Sequence, residues 1–292
     1  MPTARMTIAT IRKMAQAGEA FASLTCYDAT TARWLARAGV HVLLVGDTAA
    51  ETVFGFARTL DCPLEPLLAL TAGVRRGAES AFDGVPAAEA RVPLIMGDMP
   101  FMSYQARADD AVRNAGRFLT EGLADAVKLE VDESLAPVVE RMVRAGVPIC
   151  AHVGSRPQRS AVTGGYASAG RTDAEALQII SDARAMIDAG CPMLLVEAVP
   201  QGVTAELMTL ARAGGRTVPV IGIGAGPQTD GQVLVLNDLV GLTDRPPPFV
   251  RPLAALGPAI EDAGRQWVRI VAQRAAGDSP YQPRAAAAQA KP

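Results

Sequence analysis

Acidic side chains stand where two apolar runs of the sequence end. Residues 40–47 finish in Gly-Asp at Asp47, and residues 93–98 finish in the same pair at Asp98. Short runs rich in Val, Ile and Leu are typical of strands in a parallel sheet covered by helices on both faces. A single aspartate at such a strand end more often caps the next helix than binds a ligand, but its repetition gives the two interpretations equal weight.

Three more apolar runs carry ionisable side chains at or near their ends, namely Lys128, Glu130, His152 and Glu197. Side chains alternate between the two faces of a strand, so Lys128 and Glu130 point the same way. An unpaired charge is costly to bury, whereas a charge that is paired or bound to a metal is not. If these groups converge on one end of a core, they indicate an active site rather than a set of isolated caps.

These residue types favour magnesium chemistry. Carboxylates without a Cys or His pair suit Mg²⁺, which takes one or two of them, keeps waters and leaves positions for a bidentate ligand. A 2-oxo acid is such a ligand through its carboxylate and keto oxygens. The metal would stabilise the enolate formed when a base removes the adjacent C–H proton. Lys128 is a candidate to balance the substrate carboxylate, and Glu197 is a candidate acid/base.

The elements that must position these residues alternate along the chain. A leading helix over residues 6–17 precedes eight strand candidates, at 21–25, 40–47, 93–98, 126–130, 147–153, 193–198, 218–223 and 232–236. Eight alternating units in 292 residues fit a (β/α)₈ TIM-type barrel better than an open doubly wound sheet. The interval 224–231 is too short for a full helix. All strand ends open on one face of such a barrel, which would gather the charged residues.

The domain prediction is a single barrel over residues 1–278, including its N-terminal helix. Residues 279–292 are rich in Pro and Ala and are expected to form a disordered tail. Residues 79–92 are polar, contain Gly84 and Pro86, and are expected to form a surface loop.

The composition bears on the class of protein. Hydrophobic residues make up 49% and charged residues 20%, as in a globular protein. The formal net charge of -2 gives no reason to expect nucleic acid or an anionic membrane as partner. No apolar stretch approaches the about 18 residues of a membrane span. The four cysteines lack metal-type spacing and are expected to be buried free thiols, so we expect a cytoplasmic protein.

Several short stretches together resemble a known family. They are residues 24–28, 45–48, 74–77, 98–102, 127–130, 150–154, 164–166, 196–200 and 221–226. In this order they are similar to the signatures of ketopantoate hydroxymethyltransferase (3-methyl-2-oxobutanoate hydroxymethyltransferase), over residues 6–245. The resemblance implies a TIM-type barrel that assembles as a homodecamer. It also implies transfer of a one-carbon unit from 5,10-methylenetetrahydrofolate to the enolate of 3-methyl-2-oxobutanoate, giving 2-dehydropantoate for pantothenate and coenzyme A synthesis.

The resemblance further implies a role for each residue of the set. Asp47 and Asp98 would bind Mg²⁺, with Glu130 close to it, and Glu197 would transfer the proton. The residues expected at the 2-oxo acid are Asp47, Thr48, Asp98, Lys128 and His152. Thr48 stands where the family has Ser.

Other positions depart from the family pattern. Val131 and Asp132 replace a Gly-Gly pair, Ser155 and Arg156 replace Leu-Thr, Leu70 replaces a His, and residues 79–92 are an insertion. These departures leave the charged residues named above unchanged, so the metal and enolate chemistry is expected. The exact 2-oxo acid and the folate donor stay open. Two alternatives therefore remain. One is a Mg²⁺-dependent C–C lyase or aldolase acting on another 2-oxo acid, and the other is a non-catalytic paralogue.

Overall fold

A closed barrel of eight parallel strands forms the centre of the computed structural model, which describes residues 5–86 and 89–281. The strands follow one another around the barrel in chain order, and the eighth pairs with the first. They are β1 Phe21–Thr25, β2 Val42–Val45, β3 Leu94–Asp98, β4 Ala126–Glu130, β5 Ile149–Gly154, β6 Met193–Glu197, β7 Val220–Ile223 and β8 Gly231–Leu234. The predicted (β/α)₈ TIM-type barrel with an N-terminal helix is confirmed.

Helices precede, connect and follow these strands. They are α1 Ile8–Ala17, α2 Ala29–Arg37, α3 Ala49–Thr52, α4 Leu64–Ser80, α5 Ala108–Thr120, α6 Ala136–Arg144, α7 Ser160–Thr163, α8 Asp173–Asp188, α9 Gln201–Ala211, α10 Leu236–Leu239 and α11 Leu256–Ala272. Single 3₁₀ turns lie at Thr59–Asp61, Glu133–Leu135, Pro157–Arg159 and Ala213–Gly215. The one-turn helices α3 and α7 lie in the long connections after β2 and β5.

Capping side chains explain where several helices begin. Thr7 caps α1 by accepting the N–H of Thr10, and Asp28 caps α2 by accepting the N–H of Thr31. Helix α8 begins with a capping box, in which Thr172 and Glu175 each bind the backbone of the other. Such caps satisfy N–H groups that have no partner within the helix. Asp28, one of the residues that resemble the family, is therefore a helix cap.

The apolar core has an inner layer inside the barrel and an outer layer under the helices. On β4, Ala126 belongs to the inner layer, while Val127 and Leu129 belong to the outer one, as strand alternation predicts. Met6 and Ile11 of the N-terminal segment also pack in the inner layer. Helix α1 thus fills the end of the barrel where the strands begin, and the charged side chains occupy the other end.

Some predicted boundaries are wrong by a few residues. Helix α1 begins at Ile8, not at residue 6, because Thr7 is its cap. Strand β8 spans Gly231–Leu234 instead of 232–236, because the chain leaves the sheet where the Leu236 N–H donates to Thr25 Oγ1 at 2.9 Å. The predicted surface loop 79–92 starts too early, since α4 continues to Ser80. Residues 87 and 88 of that loop lie outside the described residues.

The connection between β7 and β8 contains turns and no helix, as the short interval 224–231 predicts. Asp230 ends this connection and organises it. Its carboxylate accepts the N–H of Val220 at 2.8 Å and forms an ion pair with Arg212, and its carbonyl accepts the N–H of Phe21 at 3.0 Å. Asp230 therefore binds this short connection to β7, to β1 and to Arg212 at the end of α9.

The chain divides into two compact units, at Leu236 and Asn237. The first unit contains the barrel. The second contains α11, in which no residue is buried. The single domain over residues 1–278 stays a prediction, and the predicted tail 279–292 lies outside the described residues from 282 onward. Within the described part of the chain, no helix is long and apolar enough to cross a membrane.

Candidate active site

One cavity at the carboxyl ends of the strands is lined by every residue singled out from the sequence. These residues are Asp47, Thr48, Asp98, Lys128, Glu130, His152 and Glu197. The cavity has a volume of about 100 Å³ and is partly open to solvent. The structure thus brings together side chains that are up to 150 positions apart in sequence, while the role assigned to each of them stays a prediction.

The strand register makes these side chains neighbours. Asp98 of β3 is paired with Lys128 of β4, and Glu130 of β4 is paired with His152 of β5. Residues paired across a parallel ladder point to the same face of the sheet. Because Ala126, two positions before Lys128, lies in the inner layer, the alternation turns all four side chains into the barrel.

Asp98 and Lys128 form a buried ion pair. Lys128 Nζ lies 2.9 Å from Asp98 Oδ1, and the backbone N–H of Asp47 donates to Asp98 Oδ2 at 3.0 Å. Burial raises the pKa of Asp98 to about 7, although the charge of Lys128 opposes the shift. Burial would lower the pKa of Lys128, but the surrounding carboxylates outweigh it and raise that pKa, so Lys128 stays charged.

His152 and Glu197 form the other side of the cavity. His152 Nε2 lies 3.3 Å from Glu197 Oε2, and His152 Nδ1 lies 3.5 Å from Lys128 Nζ. Burial, and then the charge of Lys128, lower the pKa of His152, so the ring is neutral. Since an ammonium faces Nδ1, we assign the single ring proton to Nε2, on the side of Glu197. The Glu197 side chain is 23% exposed, whereas that of Asp98 is 1% exposed.

The backbone after β6 is unusual at Ala198. This residue has a φ of 49°, in the left-handed region that non-glycine residues rarely adopt. Its N–H donates to the carbonyl of Ile223 at 2.8 Å, and its carbonyl accepts the N–H of Ala169 at 3.0 Å. These two bonds hold the turn that immediately follows Glu197. Strained backbone of this kind concentrates at functional sites.

Gln158 is a site residue that the sequence analysis missed. It lies in the 3₁₀ turn Pro157–Arg159, is 3% exposed, and binds both Asp47 and Glu130. An uncharged side chain 111 positions from its partner gives no periodic or spacing signal. The available signal was that this chain keeps Pro-Gln at 157–158 while departing from the family at the two preceding positions.

Two of those departures bind each other. Arg156 Nη1 lies 2.7 Å from Asp132 Oδ2, and Arg159 Nη1 lies 3.2 Å from the same oxygen. Asp132 follows β4, whereas both arginines follow β5. Asp132 and Arg156, which appear in the sequence as two separate departures from the family pattern, therefore form one ion pair between neighbouring loops.

The donor set fits a divalent cation. Four carboxylates, those of Asp47, Asp98, Glu130 and Glu197, line the cavity with one ammonium and a neutral imidazole. Burial raises the pKa of Glu130 well above its usual range; Lys128 opposes the shift, and the nearby carboxylates of Asp47 and Asp98 add to it. Within residues 5–86 and 89–281, no three His, Cys, Asp or Glu side chains form a ready-made metal cage. Mg²⁺ needs only one or two carboxylates beside water and substrate oxygens.

Comparison with known proteins identifies the family. The family described as ketopantoate hydroxymethyltransferase matches residues 5–277. The chain belongs to this family. A protein from Anaeromyxobacter sp. (strain K) named 3-methyl-2-oxobutanoate hydroxymethyltransferase is 44% identical over 281 residues, covering 96% of this chain and 88% of that protein. One of the same name from Pyrobaculum neutrophilum is 39% identical over 252 residues, covering 86% and 90%.

Membership of the ketopantoate hydroxymethyltransferase family confirms the prediction of a transferase of pantothenate biosynthesis.

Solved structures of low sequence identity share the fold of this chain, and the comparison with them concerns the fold alone. Phosphonopyruvate hydrolase in complex with oxalate and Mg²⁺ has a TM-score of 0.57 and 12% identity, covering 92% of this chain and 88% of that one. For 2,3-dimethylmalate lyase the TM-score is 0.56 and the sequence identity is 17%, covering 94% of this chain and 91% of that one.

Proposed function

We propose that this member of the ketopantoate hydroxymethyltransferase family transfers a hydroxymethyl group from 5,10-methylenetetrahydrofolate to 3-methyl-2-oxobutanoate. The products would be 2-dehydropantoate and tetrahydrofolate, with one water consumed. The observation that carries the proposal is that all seven expected side chains line one cavity in the family barrel. A C–C bond forms at the carbon next to the keto group, so that carbon must first lose its proton.

Glu197 is the proposed base. One of its oxygens, Oε2, lies 3.3 Å from His152 Nε2, and its other oxygen would accept the proton of the substrate carbon. His152, held neutral by burial and by Lys128, would orient Glu197 without adding a positive charge to the site. The turn at Ala198 would fix the direction in which Glu197 enters the cavity.

Asp47 and Asp98 are the proposed ligands of Mg²⁺, with Glu130 close to it. When bound, the metal supplies positive charge beside the keto group and lowers the cost of removing the neighbouring proton. Lys128, fully charged and held by Asp98, would pair with the substrate carboxylate. Thr48 directly follows Asp47, and its hydroxyl would donate a hydrogen bond to the 2-oxo acid.

The decisive assay uses purified protein, 3-methyl-2-oxobutanoate, 5,10-methylenetetrahydrofolate and Mg²⁺. We expect 2-dehydropantoate to form, and its absence above background would reject the proposal. A panel of other 2-oxo and 2-hydroxy acids without folate tests the lyase alternative, which cleavage of any panel member would favour. Tight 2-oxo acid binding with no turnover would favour a non-catalytic paralogue.

We also propose that the chain forms a homo-oligomer, with the homodecamer implied by the family resemblance as the expected state. Helix α11 supports self-association because its apolar side chains share one side and are exposed. They are Leu256, Ile260, Trp267, Val268 and Val271, between 42% and 68% exposed. An apolar helix side of this kind in water is typical of a protein interface.

Light scattering of the full chain tests the association. We expect Trp267→Glu to reduce the molar mass, since it places a charge within the apolar side of α11. Gln266→Glu adds the same charge one residue earlier, on the polar side, and should leave the mass unchanged. A monomeric unmodified chain, or equal masses for all three proteins, would contradict this role of α11.

A further inference from the structure

Gln158 connects three strand ends through its own atoms. Its side-chain Nε2 donates to Asp47 Oδ2 at 2.9 Å and to the carbonyl of Met99 at 3.0 Å. Its backbone N–H donates to Glu130 Oε2 at 2.9 Å. Asp47 follows β2, Met99 follows β3 and Glu130 ends β4. A single residue of the loop after β5 therefore ties together the ends of the three strands that precede it in the barrel.

The amide of Gln158 has one orientation that satisfies all its neighbours. Both hydrogens of Nε2 face acceptors, while Oε1 lies 2.9 Å from Tyr104 Oη and 3.3 Å from Gln105 Nε2. A flipped amide would place its oxygen against two acceptors, the Asp47 carboxylate and the Met99 carbonyl. Tyr104 is itself 1% exposed and accepts the N–H of Glu130 at 3.1 Å. The surroundings thus hold the amide rigidly.

Gln158 in turn restrains the carboxylates of Asp47 and Glu130. Gln158 binds one oxygen of Asp47 and one oxygen of Glu130, which restrains the position of each carboxylate. Charge-assisted hydrogen bonds of this length are the stronger kind. Preorganised ligating groups bind more tightly than groups that must be ordered on binding.

We infer that Gln158 is a positioning residue, which orients Asp47 and Glu130 and thereby sets the affinity of the site for its metal and its 2-oxo acid. The inference rests on the proposed function for the identity of these ligands. Gln158 itself need not touch either of them.

Ion pairs anchor the turn that carries Gln158. Arg156 and Arg159 flank Gln158, and both pair with Asp132 of the loop after β4. The side chains of Arg156 and Asp132 are 19% and 21% exposed, so this pair is partly shielded from solvent. The two loops that meet at Glu130 and Gln158 are therefore bound to each other on the outer side as well.

The test compares three variants of the full chain with the unmodified protein. Gln158→Met keeps the length of the side chain and the backbone N–H to Glu130 but removes the donor to Asp47. Gln158→Glu keeps the shape and places an oxygen where the donor nitrogen was. Gln178→Met is the matched control, because Gln178 Nε2 donates to Asp182 Oδ1 at 3.0 Å on α8, outside the cavity.

Calorimetry with Mg²⁺ alone, and then with 3-methyl-2-oxobutanoate in its presence, measures affinity. We expect Gln158→Met to weaken both by about tenfold or more, Gln158→Glu to weaken them further, and Gln178→Met to leave them unchanged. In steady-state assays the KM for the 2-oxo acid should rise with the Kd. Affinities within twofold of the unmodified protein, or a lower kcat with unchanged KM and Kd, would overturn the positioning role.

Crystal structures make the test independent of the reaction. In Gln158→Met we expect Asp47 to adopt another rotamer, and an unchanged Asp47 would overturn the inference. A protein that forms no 2-dehydropantoate, yet loses Mg²⁺ affinity on Gln158→Met and moves Asp47, would refute the proposed function while supporting the role of Gln158.

Discussion

Two glycines one turn apart in α4 should respond in opposite ways to the same substitution. At Gly77 an added Cβ would lie 2.2 Å from the carbonyl oxygen of Ala29 and 2.5 Å from its Cα, both backbone atoms at the start of α2. Real Cβ contacts essentially never fall below 3.0 Å. Helices α2 and α4 would therefore have to separate by about 1 Å, and a close-packed interior resists this. At Gly73 an added Cβ would meet nothing within 4 Å.

The magnitudes follow from these distances. Overpacking costs about 1–3 kcal/mol, and we expect Gly77→Ala to cost about 3 kcal/mol because helix backbones, not flexible side chains, must move. Gly73→Ala should add about 0.5–1 kcal/mol, since alanine loses less backbone entropy than glycine in a helix. At about 2–4 °C per kcal/mol, the melting temperature should fall by about 6–12 °C in Gly77→Ala and rise by about 1–4 °C in Gly73→Ala.

Thermal and urea denaturation of the two variants and the unmodified chain, at one protein concentration, measure these shifts. The shared concentration matters because association changes apparent stability. Shifts of the same sign for both substitutions would show that the close approach of α2 and α4 does not decide the stability at Gly77. Neither residue lines the cavity, so the activity of the folded protein should be unchanged in both.

Asp98→Ala should abolish Mg²⁺-dependent binding of 3-methyl-2-oxobutanoate in calorimetry, and an unchanged affinity would contradict the metal assignment. Ala198→Gly should raise the free energy of unfolding by about 1 kcal/mol in urea, because it relieves a left-handed conformation that costs about 1–2 kcal/mol, less the entropy cost of glycine; a lower midpoint would refute this. Burial raises the pKa of Cys26, Cys62 and Cys150 to about 12, and only thiolates react, so native protein should react with dithionitrobenzoate at pH 8 about 10³-fold more slowly than urea-unfolded protein. Native rates within tenfold of the unfolded rates would contradict this.

Strand order and the inward charged face could be predicted because they depend on local patterns. The run that became Ala126–Glu130 is bounded by turns and alternates apolar and charged residues, so its limits and the direction of Lys128 follow from a period of two. The register then pairs Asp98 with Lys128 without any signal beyond strand order. The gathering of the seven cavity residues is a consequence of the barrel.

The parts that could not be predicted depend on contacts between distant loops. Helices α3 and α7 have four residues each, too few for a helical period to show in the sequence. Gln158 carries no charge, and its partners at Asp47 and Glu130 are set by tertiary structure. The pairing of Asp132 with Arg156 likewise appears only when the loops after β4 and β5 lie side by side.

The N-terminal segment closes the barrel at the end where the strands begin. With Met6 and Ile11 packed inside the end where the strands begin, small molecules reach the cavity from the loop side. A reaction of two substrates in such a cavity is ordered, because the molecule that binds deeper must enter first and leave last. On the proposed function, the 2-oxo acid would be attracted to the charged side chains that line the cavity, and would bind deeper and earlier than the bulkier carbon donor.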